Sequence, residues 1–255
     1  MDTGTQTLSW MVAEAVGERA KVIDVNHWRP NVPWAAVQAA GFGFGIAKAT
    51  EDIAFVDSTY AVNVAEMEKR GILHGSFHYF RGTFDPAEQV QHYYNIAKGT
   101  QWPPIVDVER RNNVNLSQVP LVAPSIFTAR LKAFLNEAEY LFKRKPWIYT
   151  SYYSWKVLTN LPAWAAEYPL WVANYGVISP LLPAGWMSWD LWQWTSAYQI
   201  AGRGFDANWY NGTAADLRAR LGVAQPVTLE QRVVDLEKRV DALEDRLTVL
   251  DGLLA

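Results

Sequence analysis

Two acidic residues, two positions apart, end one of the most apolar segments of the chain. Residues 103–109 (PPIVDVE) indicate a short buried strand that finishes in Asp-x-Glu. Side chains alternate along a strand, so Asp107 and Glu109 share one face. Close carboxylates repel, which can keep one neutral as a general acid while the other stays charged, the arrangement that glycoside hydrolysis uses. A solvated strand end that pairs with Arg110 or Arg111 is the alternative interpretation.

Two further acids occupy comparable places in the chain. Asp24 is expected at the end of the first predicted strand, residues 21–25, and Asp206 at the end of the last, residues 204–208. In a closed barrel the first and last strands are neighbours, so we expect Asp24 and Asp206 to meet at the seam. Four acids at one barrel mouth favour a functional role over isolated structural hydrogen bonds.

Aromatic residues accompany these acids. The chain has 13 Trp and 12 Tyr, and aromatic faces stack on the apolar faces of sugars while their polar edges bond to hydroxyls. We expect residues 171–175 (WVANY) and 192–194 (WQW) to lie near a ligand. The aromatic residues at the ends of predicted strands are Tyr79, Tyr149, Trp171, Tyr175, Trp192, Trp194 and Trp209.

The elements that position these residues form a βα pattern, in which short apolar runs alternate with amphipathic stretches. Eight runs predict an α/β fold, an irregular (β/α) TIM-like barrel. Helices are expected at 34–40, 59–70, 86–98 and 124–143, and after Pro169 the connections are too short and rich in Gly, Pro and Ser for full crossover helices. The predicted strands are 21–25, 42–48, 72–80, 104–108, 147–150, 170–174, 190–194 and 204–208.

Composition excludes several classes of function. The chain has no cysteine, which removes disulfides, thiolate zinc sites and thiol nucleophiles. Residues 1–226 carry 19 basic and 19 acidic side chains, so the pattern predicts neither nucleic acid nor an anionic membrane as a partner. The four histidines lack the spacing of zinc helices, and we expect no metal and no cofactor. Residues 1–20 do not have the pattern of a Sec signal peptide.

The C-terminal segment has a different pattern. After a linker at 222–227, residues 228–255 predict an oligomerising coiled coil, because apolar residues alternate at spacings of three and four. Val at a with Leu at d favours a dimer, but the repeated Arg-h-x-x-h-Glu pattern at 232–237 and 239–244 favours a trimer, which we prefer. A lone amphipathic helix is the alternative. The seam consists of Leu229, Val233, Leu236, Val240, Leu243, Leu247, Leu250 and Leu254.

Several motifs across residues 21–208 occur in the same order as in one known protein family. The chain resembles glycoside hydrolase family 25, the muramidases or Chalaropsis-type lysozymes. The predicted organisation is an N-terminal extension at 1–20, a family 25-like catalytic barrel at 21–221, the linker and the coiled coil. The matching motifs are 21–28 (KVIDVNHW), 47–51 (AKATE), 77–80 (FHYF), 106–109 (VDVE), 147–151 (WIYTS), 170–175 (LWVANY), 192–196 (WQWTS) and 206–208 (DAN).

The resemblance implies cleavage of the β-1,4 bond between N-acetylmuramic acid and N-acetylglucosamine in bacterial peptidoglycan. It implies Glu109 as the proton donor, Asp107 as the group that stabilises or orients the 2-acetamido group or a water, and Asp24 and Asp206 as supporting acids. No metal is implied. The implied substrate contacts are Tyr79, Tyr149, Trp171, Tyr175, Gln193 and Asn208.

The organisation of the chain suggests a biological setting. A lysozyme-like body with an oligomerising tail and no Sec signal suggests a phage endolysin or a lysin carried on a phage particle, released at lysis and acting on the cell wall. Two other interpretations stay open. One is a non-catalytic glycan-binding or structural module of a phage particle, and the other is a metal-dependent hydrolase that uses the acid cluster.

Overall fold

Eight strands close into a barrel in the computed structural model, which describes residues 19–224, 233–234, 236–241 and 243. The first strand pairs with both the second and the last, which closes the sheet. The predicted α/β barrel is therefore confirmed. The strands are β1 (Arg19–Val25), β2 (Phe44–Glu51), β3 (Phe55–Val56), β4 (Leu73–Tyr79), β5 (Ile105–Val108), β6 (Trp147–Thr150), β7 (Leu170–Ala173), β8 (Leu191–Ile200) and β9 (Arg203–Thr213).

Two features of the sheet depart from a regular parallel barrel. The short strand β3 lies outside the closed ring and pairs antiparallel with β2. Strand β9 runs antiparallel to both of its neighbours, β8 and β1, whereas the other barrel strands pair in parallel. The start of β9, rather than its end, therefore lies beside the carboxyl ends of the other strands.

Helices follow the early strands, as predicted. The four expected helices begin and end within one residue of their predicted bounds. Two helices between β6 and β7 were not expected, an α-helix at Tyr152–Leu158 and a 3₁₀ helix at Ala163–Glu167. Residues 174–190, all of them described by the structure, contain no helix between β7 and β8, in agreement with the composition of that stretch. The helices are α1 (Trp34–Ala39), α2 (Tyr60–Lys69), α3 (Pro86–Ala97), α4 (Pro124–Phe142), α5 (Tyr152–Leu158) and α6 (Ala214–Leu221).

The core between sheet and helices sets which way each strand faces. On β5, Val106 and Val108 are fully buried in the same apolar cluster as Leu131 and Phe134 of α4. Burying an aliphatic side chain contributes roughly 1.5–3 kcal/mol. The alternating Asp107 must then point the other way, into the barrel.

The chain divides into two compact units, Met1–Leu217 and Arg218–Ala255. The N-terminal extension predicted for residues 1–20 lies outside the described residues except for Arg19 and Ala20, and so does most of the predicted coiled coil. Described tail positions are helical, and Val233, Leu236, Val240 and Leu243 are about half exposed. Within the described residues, no helix has the length and apolarity to cross a membrane.

Candidate active site

The four acids lie together at the mouth of the barrel. Asp24, Asp107, Glu109 and Asp206 all line one cavity of about 170 Å³. Asp24 and Asp206 stand directly opposite each other in the β1–β9 register, as expected. One detail of the prediction is wrong: Asp206 is near the start of its strand, not the end, and it reaches the mouth because β9 is antiparallel.

Two side-chain amides donate hydrogen bonds to Asp24. Its Oδ2 accepts N–H bonds from Gln193 at 2.9 Å and Asn208 at 2.7 Å. Burial and the nearby Asp206 carboxylate raise the pKa of Asp24 to about 8, against the lowering effect of these two amides and Arg29. Without a bound ligand, the Asp24 carboxyl is therefore largely protonated at neutral pH.

Aromatic donors orient both amides. The oxygen of Gln193 accepts from the hydroxyl of Tyr149 at 2.7 Å and from that of Tyr175. The oxygen of Asn208 accepts from the indole N–H of Trp171 at 2.7 Å. With both oxygens occupied, each amide can present only its NH₂ group to Asp24.

Asp206 is held as an ion pair. The Oδ1 atom of Asp206 lies 2.8 Å from a guanidinium nitrogen of Arg29, and the other terminal nitrogen of Arg29 donates to the Ser196 carbonyl oxygen at 2.9 Å. Burial raises the pKa of Asp206, and Arg29 opposes that rise.

Asp107 is the most enclosed acid on the β5 side. Its Oδ1 is buried and has no hydrogen-bond partner among the described residues. Burial, with Glu109 as the next cause, raises the pKa of Asp107 well above its usual value, although Lys48 opposes this. A buried oxygen without a partner is costly unless a ligand or water supplies a donor.

Glu109 is more exposed and carries no ion pair within the described part of the chain. The alternative of a solvated strand end paired with Arg110 or Arg111 is therefore not observed. Burial raises the pKa of Glu109, Lys48 lowers it, Asp206 raises it, and Arg111 and Arg110 lower it; the net shift is upward. This carboxyl is thus suited to carry a proton toward a ligand.

A second cavity of about 400 Å³ adjoins the first, and Asn26, Phe77, Asp107 and Glu109 line both. One of its lining residues is a buried cation, Lys48, whose Nζ lies 2.7 Å from Oε2 of Glu51. The cavities together form a cleft with Asp107 and Glu109 between its two parts. The second cavity is also lined by His27, Trp28, Lys48, Glu51, Phe55, Tyr79, Arg111 and Asn112.

The predicted substrate contacts divide into two groups. Tyr149, Trp171, Tyr175 and Gln193 line the first cavity, and Tyr79 lines the second. Asn208 lines neither of these cavities; it is buried behind Asp24 and donates to it.

The expectation that Trp192 and Trp194 lie near a ligand is wrong. Gln193 faces the barrel interior, so its neighbours on β8 face outward: Trp192 packs against Trp189, and Trp194 stacks on Trp209. Alternation along the strand shows that Gln193 and its neighbours take opposite faces, but not which face is inward.

Sequence reasoning gave no role to Arg29, Lys48 and Glu51. Lys48 and Glu51 stand in one of the family motifs, so a signal existed for them. Arg29 meets Asp206 from 177 positions away in sequence, and no local pattern indicates that contact. Within the described residues, no three acidic or histidine side chains are arranged to hold a metal ion.

The sequence is similar to those of proteins named lysozyme and muramidase. The family model for glycosyl hydrolases family 25 matches residues 23–203. Lysozyme M1 of Streptomyces globisporus is 28% identical over 213 residues, covering 77% of this chain and 69% of that protein. The N,O-diacetylmuramidase of a Chalaropsis species is 28% identical over 207 residues, covering 76% of this chain and 95% of that protein.

Solved structures give the same assignment. A bacterial lysozyme from Streptomyces coelicolor has a TM-score of 0.73 at 27% identity and covers 81% of this chain and 99% of its own. A muramidase from Acremonium alcalophilum has a TM-score of 0.73 at 27% identity, with coverage of 80% and 99%. The family match spans most of the barrel. The chain therefore belongs to glycosyl hydrolase family 25.

Proposed function

We propose that this glycoside hydrolase is an N-acetylmuramidase that cleaves the β-1,4 bond between N-acetylmuramic acid and N-acetylglucosamine in bacterial peptidoglycan. The relatives named lysozyme and muramidase support the substrate. The observation that carries the proposal is the convergence of four acids with upward-shifted pKa values in one cleft. Upward-shifted pKa values favour the protonated form of a carboxyl, which acid catalysis requires.

Glu109 is the proton donor in this proposal. Asp24 is held by two amides and Asp206 by Arg29, while Asp107 is the more enclosed member of its pair. Glu109 lines both cavities, as Asp107 does, but it is the more exposed of the two, so its carboxyl is free to approach a bridging oxygen. It gives its proton to that oxygen as the bond to the anomeric carbon breaks, and it recovers a proton from the attacking water.

Asp107 supports the developing sugar cation. Its partnerless Oδ1 can accept the N–H of the 2-acetamido group or a water, which fixes the nucleophile below the anomeric carbon. Asp24 and Asp206 face the same cavity as supporting acids, and Asn208 positions Asp24 rather than touching the sugar.

The substitution Glu109→Gln tests the assignment. It keeps the shape of the side chain but removes the proton, so release of reducing ends from purified peptidoglycan should fall about 10²- to 10⁴-fold. Glu88→Gln, an exposed position in the first turn of α3, is the matched control and should retain parent activity. Mass spectrometry of the products should find fragments that end in reducing N-acetylmuramic acid.

Two outcomes would contradict the proposal. If Glu109→Gln digests walls at the parent rate, Glu109 is not the acid; if the fragments end in N-acetylglucosamine, the bond assignment is wrong. The same assay in excess EDTA tests the metal-dependent alternative, for which activity would be lost; we expect it to be kept.

For the tail, we propose a parallel coiled coil at 228–255, a trimer rather than a dimer, joined to the barrel by residues 222–227. The described tail positions Val233, Leu236 and Val240 border an apolar groove flanked by Glu237 and Asp241, which supports a seam for other copies. Linking several catalytic heads raises avidity for an immobile polymer. This organisation fits a phage endolysin or a lysin carried on a phage particle.

A further inference from the structure

Trp28 and Arg111 line one part of the second cavity and form an aromatic and cationic wall that the reaction does not use. Trp28 is 65% exposed, and the Arg111 guanidinium lies 5.2 Å from the centre of its ring. Among the described residues, no carboxylate lies within ion-pair distance of Arg111. The other cation of the cavity, Lys48, is already engaged by Glu51.

Hydrogen bonds hold the main chain of both residues in this wall. The main-chain N–H of Trp28 donates to the Asn26 side chain at 3.0 Å. The Tyr79 hydroxyl donates to the carbonyl oxygen of Arg111, and the next residue, Asn112, donates to Glu51 at 2.9 Å. The backbone that carries Trp28 and Arg111 is therefore held before a ligand arrives, which lowers part of the ordering cost of binding.

The chemistry of this wall favours a peptide with a carboxylate. A guanidinium binds a carboxylate through two parallel hydrogen bonds, and an indole face packs against short apolar groups. A neutral sugar ring could stack on Trp28 but would offer no charge to Arg111. Peptidoglycan supplies such a peptide: the stem that begins at the lactyl group of muramic acid and carries alanine and acidic residues.

We infer that the second cavity is a subsite for the peptide stem, with a stem carboxylate on Arg111 and the apolar part of the stem against Trp28. The inference rests on the proposed muramidase function, because the stem leaves from the same sugar whose anomeric carbon faces Asp107 and Glu109. Those two acids line both cavities, so a sugar in the first cavity has its substituents next to the second.

The test compares two soluble, uncross-linked glycan polymers, one with its stems and one stripped of them by an amidase. For the parent we expect the higher kcat/KM on the stem-bearing polymer. In Arg111→Gln the ratio of the two kcat/KM values should fall about 5- to 10-fold, the size of one partly exposed charge-assisted contact. Because Arg111 also lowers the pKa of Glu109, only the ratio, in which that effect cancels, is diagnostic.

Three variants complete the design. Lys98→Gln removes one exposed positive charge just after α3 and should keep the parent ratio. Arg111→Lys should recover part of the ratio, and Arg111→Glu should depress it further. Titration of the inactive Glu109→Gln protein with the two polymers should show the same preference in Kd, and Arg111→Gln added to that background should remove it.

The outcomes separate the two proposals. A parent that releases no fragments from either polymer refutes the muramidase function. A parent active on both, with Arg111→Gln and Lys98→Gln giving the same ratio, overturns the stem subsite alone. An equal loss on both polymers, which leaves the ratio unchanged, would also overturn it.

Discussion

At the scale of single residues, the hydrogen bonds around Asp24 determine where its proton can lie. Two amide NH₂ groups point at Oδ2, and their own oxygens are occupied by Tyr149, Tyr175 and Trp171. Oδ2 must therefore act as an acceptor, and a proton on Asp24 belongs on Oδ1. That atom lies on the side of the carboxyl that the amides leave free.

This arrangement predicts a cost in stability that depends on pH. Asp24 has a folded pKa of about 8, above its unfolded value of 3.8, so its contribution to stability is present below the unfolded pKa and is lost as pH rises through 8. Asp24→Asn should remove this loss. We expect its free energy of unfolding at pH 9 to exceed the parent's by roughly 2 kcal/mol, which is part of what the full pKa shift would give at about 1.4 kcal/mol per pKa unit.

Thermal unfolding of parent and variant between pH 4 and pH 9 measures this gain, which should grow with pH. Asp57→Asn is the matched control, because Asp57 is also buried. Its burial raises the pKa, but hydrogen bonds from Thr59 and His27 bring that pKa below its usual value. The control should therefore be less stable than the parent at neutral pH. A pH-independent difference for Asp24→Asn would show that Asp24 is already ionised in the folded protein.

The same scale shows how far sequence reasoning reaches at the site. Alternation placed Asp107 and Glu109 on one shared face, and barrel closure placed Asp24 opposite Asp206. The Arg29 partner of Asp206 follows from neither rule, because its side chain crosses to another strand. Period and spacing constrain a strand's own faces, whereas long-range contacts depend on how the barrel closes.

At the scale of elements, the absence of a side chain at Gly75 on β4 lets Trp102 pack closely against that strand. Trp102 leads into the neighbouring strand β5 and so helps to position it. A Cβ added there would lie 2.8 Å from Cγ and 3.1 Å from Cβ of Trp102, which is fully buried just before β5. The clash falls on the rigid base of the indole, so Trp102 can only yield by moving the backbone that leads to Asp107.

Gly75→Ala should therefore lower the free energy of unfolding by about 1–3 kcal/mol, the usual range for overpacking. Gly45→Ala is the informative comparison, because its Cβ would meet the movable Sδ of Met67 at 2.4 Å. Gly99→Ala, with no atom within 4 Å of the added Cβ, is the neutral control. Urea unfolding should rank Gly75→Ala as the least stable of the three; a loss at Gly45 equal to or larger than that at Gly75 would contradict the argument.

Sequence patterns did not predict the direction of β9. Residues 201–202 join β8 to β9 in a two-residue hairpin, and both Ala201 and Gly202 have positive φ, 49° and 76°. Such turns usually have Asn-Gly or Asp-Gly, and Ala-Gly does not give that signal. The βα pattern then led to a parallel strand, although the position of β9 beside β1 was correctly predicted.

At the scale of the whole chain, the family match and the acid cluster both fall within the first compact unit, Met1–Leu217. The predicted division into barrel, linker and coiled coil stays a prediction. Its physical content is simple: a strict seam of apolar residues on one helix needs a partner to bury it, and three linked heads bind a fixed polymer more tightly than one.

Shortening the chain to end at Pro226 tests this. Sedimentation equilibrium should give three times 28.8 kDa for the full chain and a single-chain mass for the shortened one. Activity per barrel on soluble glycan should be equal, whereas lysis of intact walls by the shortened chain should fall about tenfold or more, since linked sites commonly gain 10²–10⁴ in avidity.

A full-length variant with Leu236→Asp and Leu243→Asp separates association from mere loss of the tail. Both leucines are about half exposed in the single chain, so the substitutions remove little packing there, but they place charges in any shared seam. This variant should have the mass and wall activity of the shortened chain. If the full chain sediments as one copy, the seam has another role and avidity cannot explain wall lysis; if it sediments as two, the dimer rule at a and d outweighs the Arg-h-x-x-h-Glu pattern.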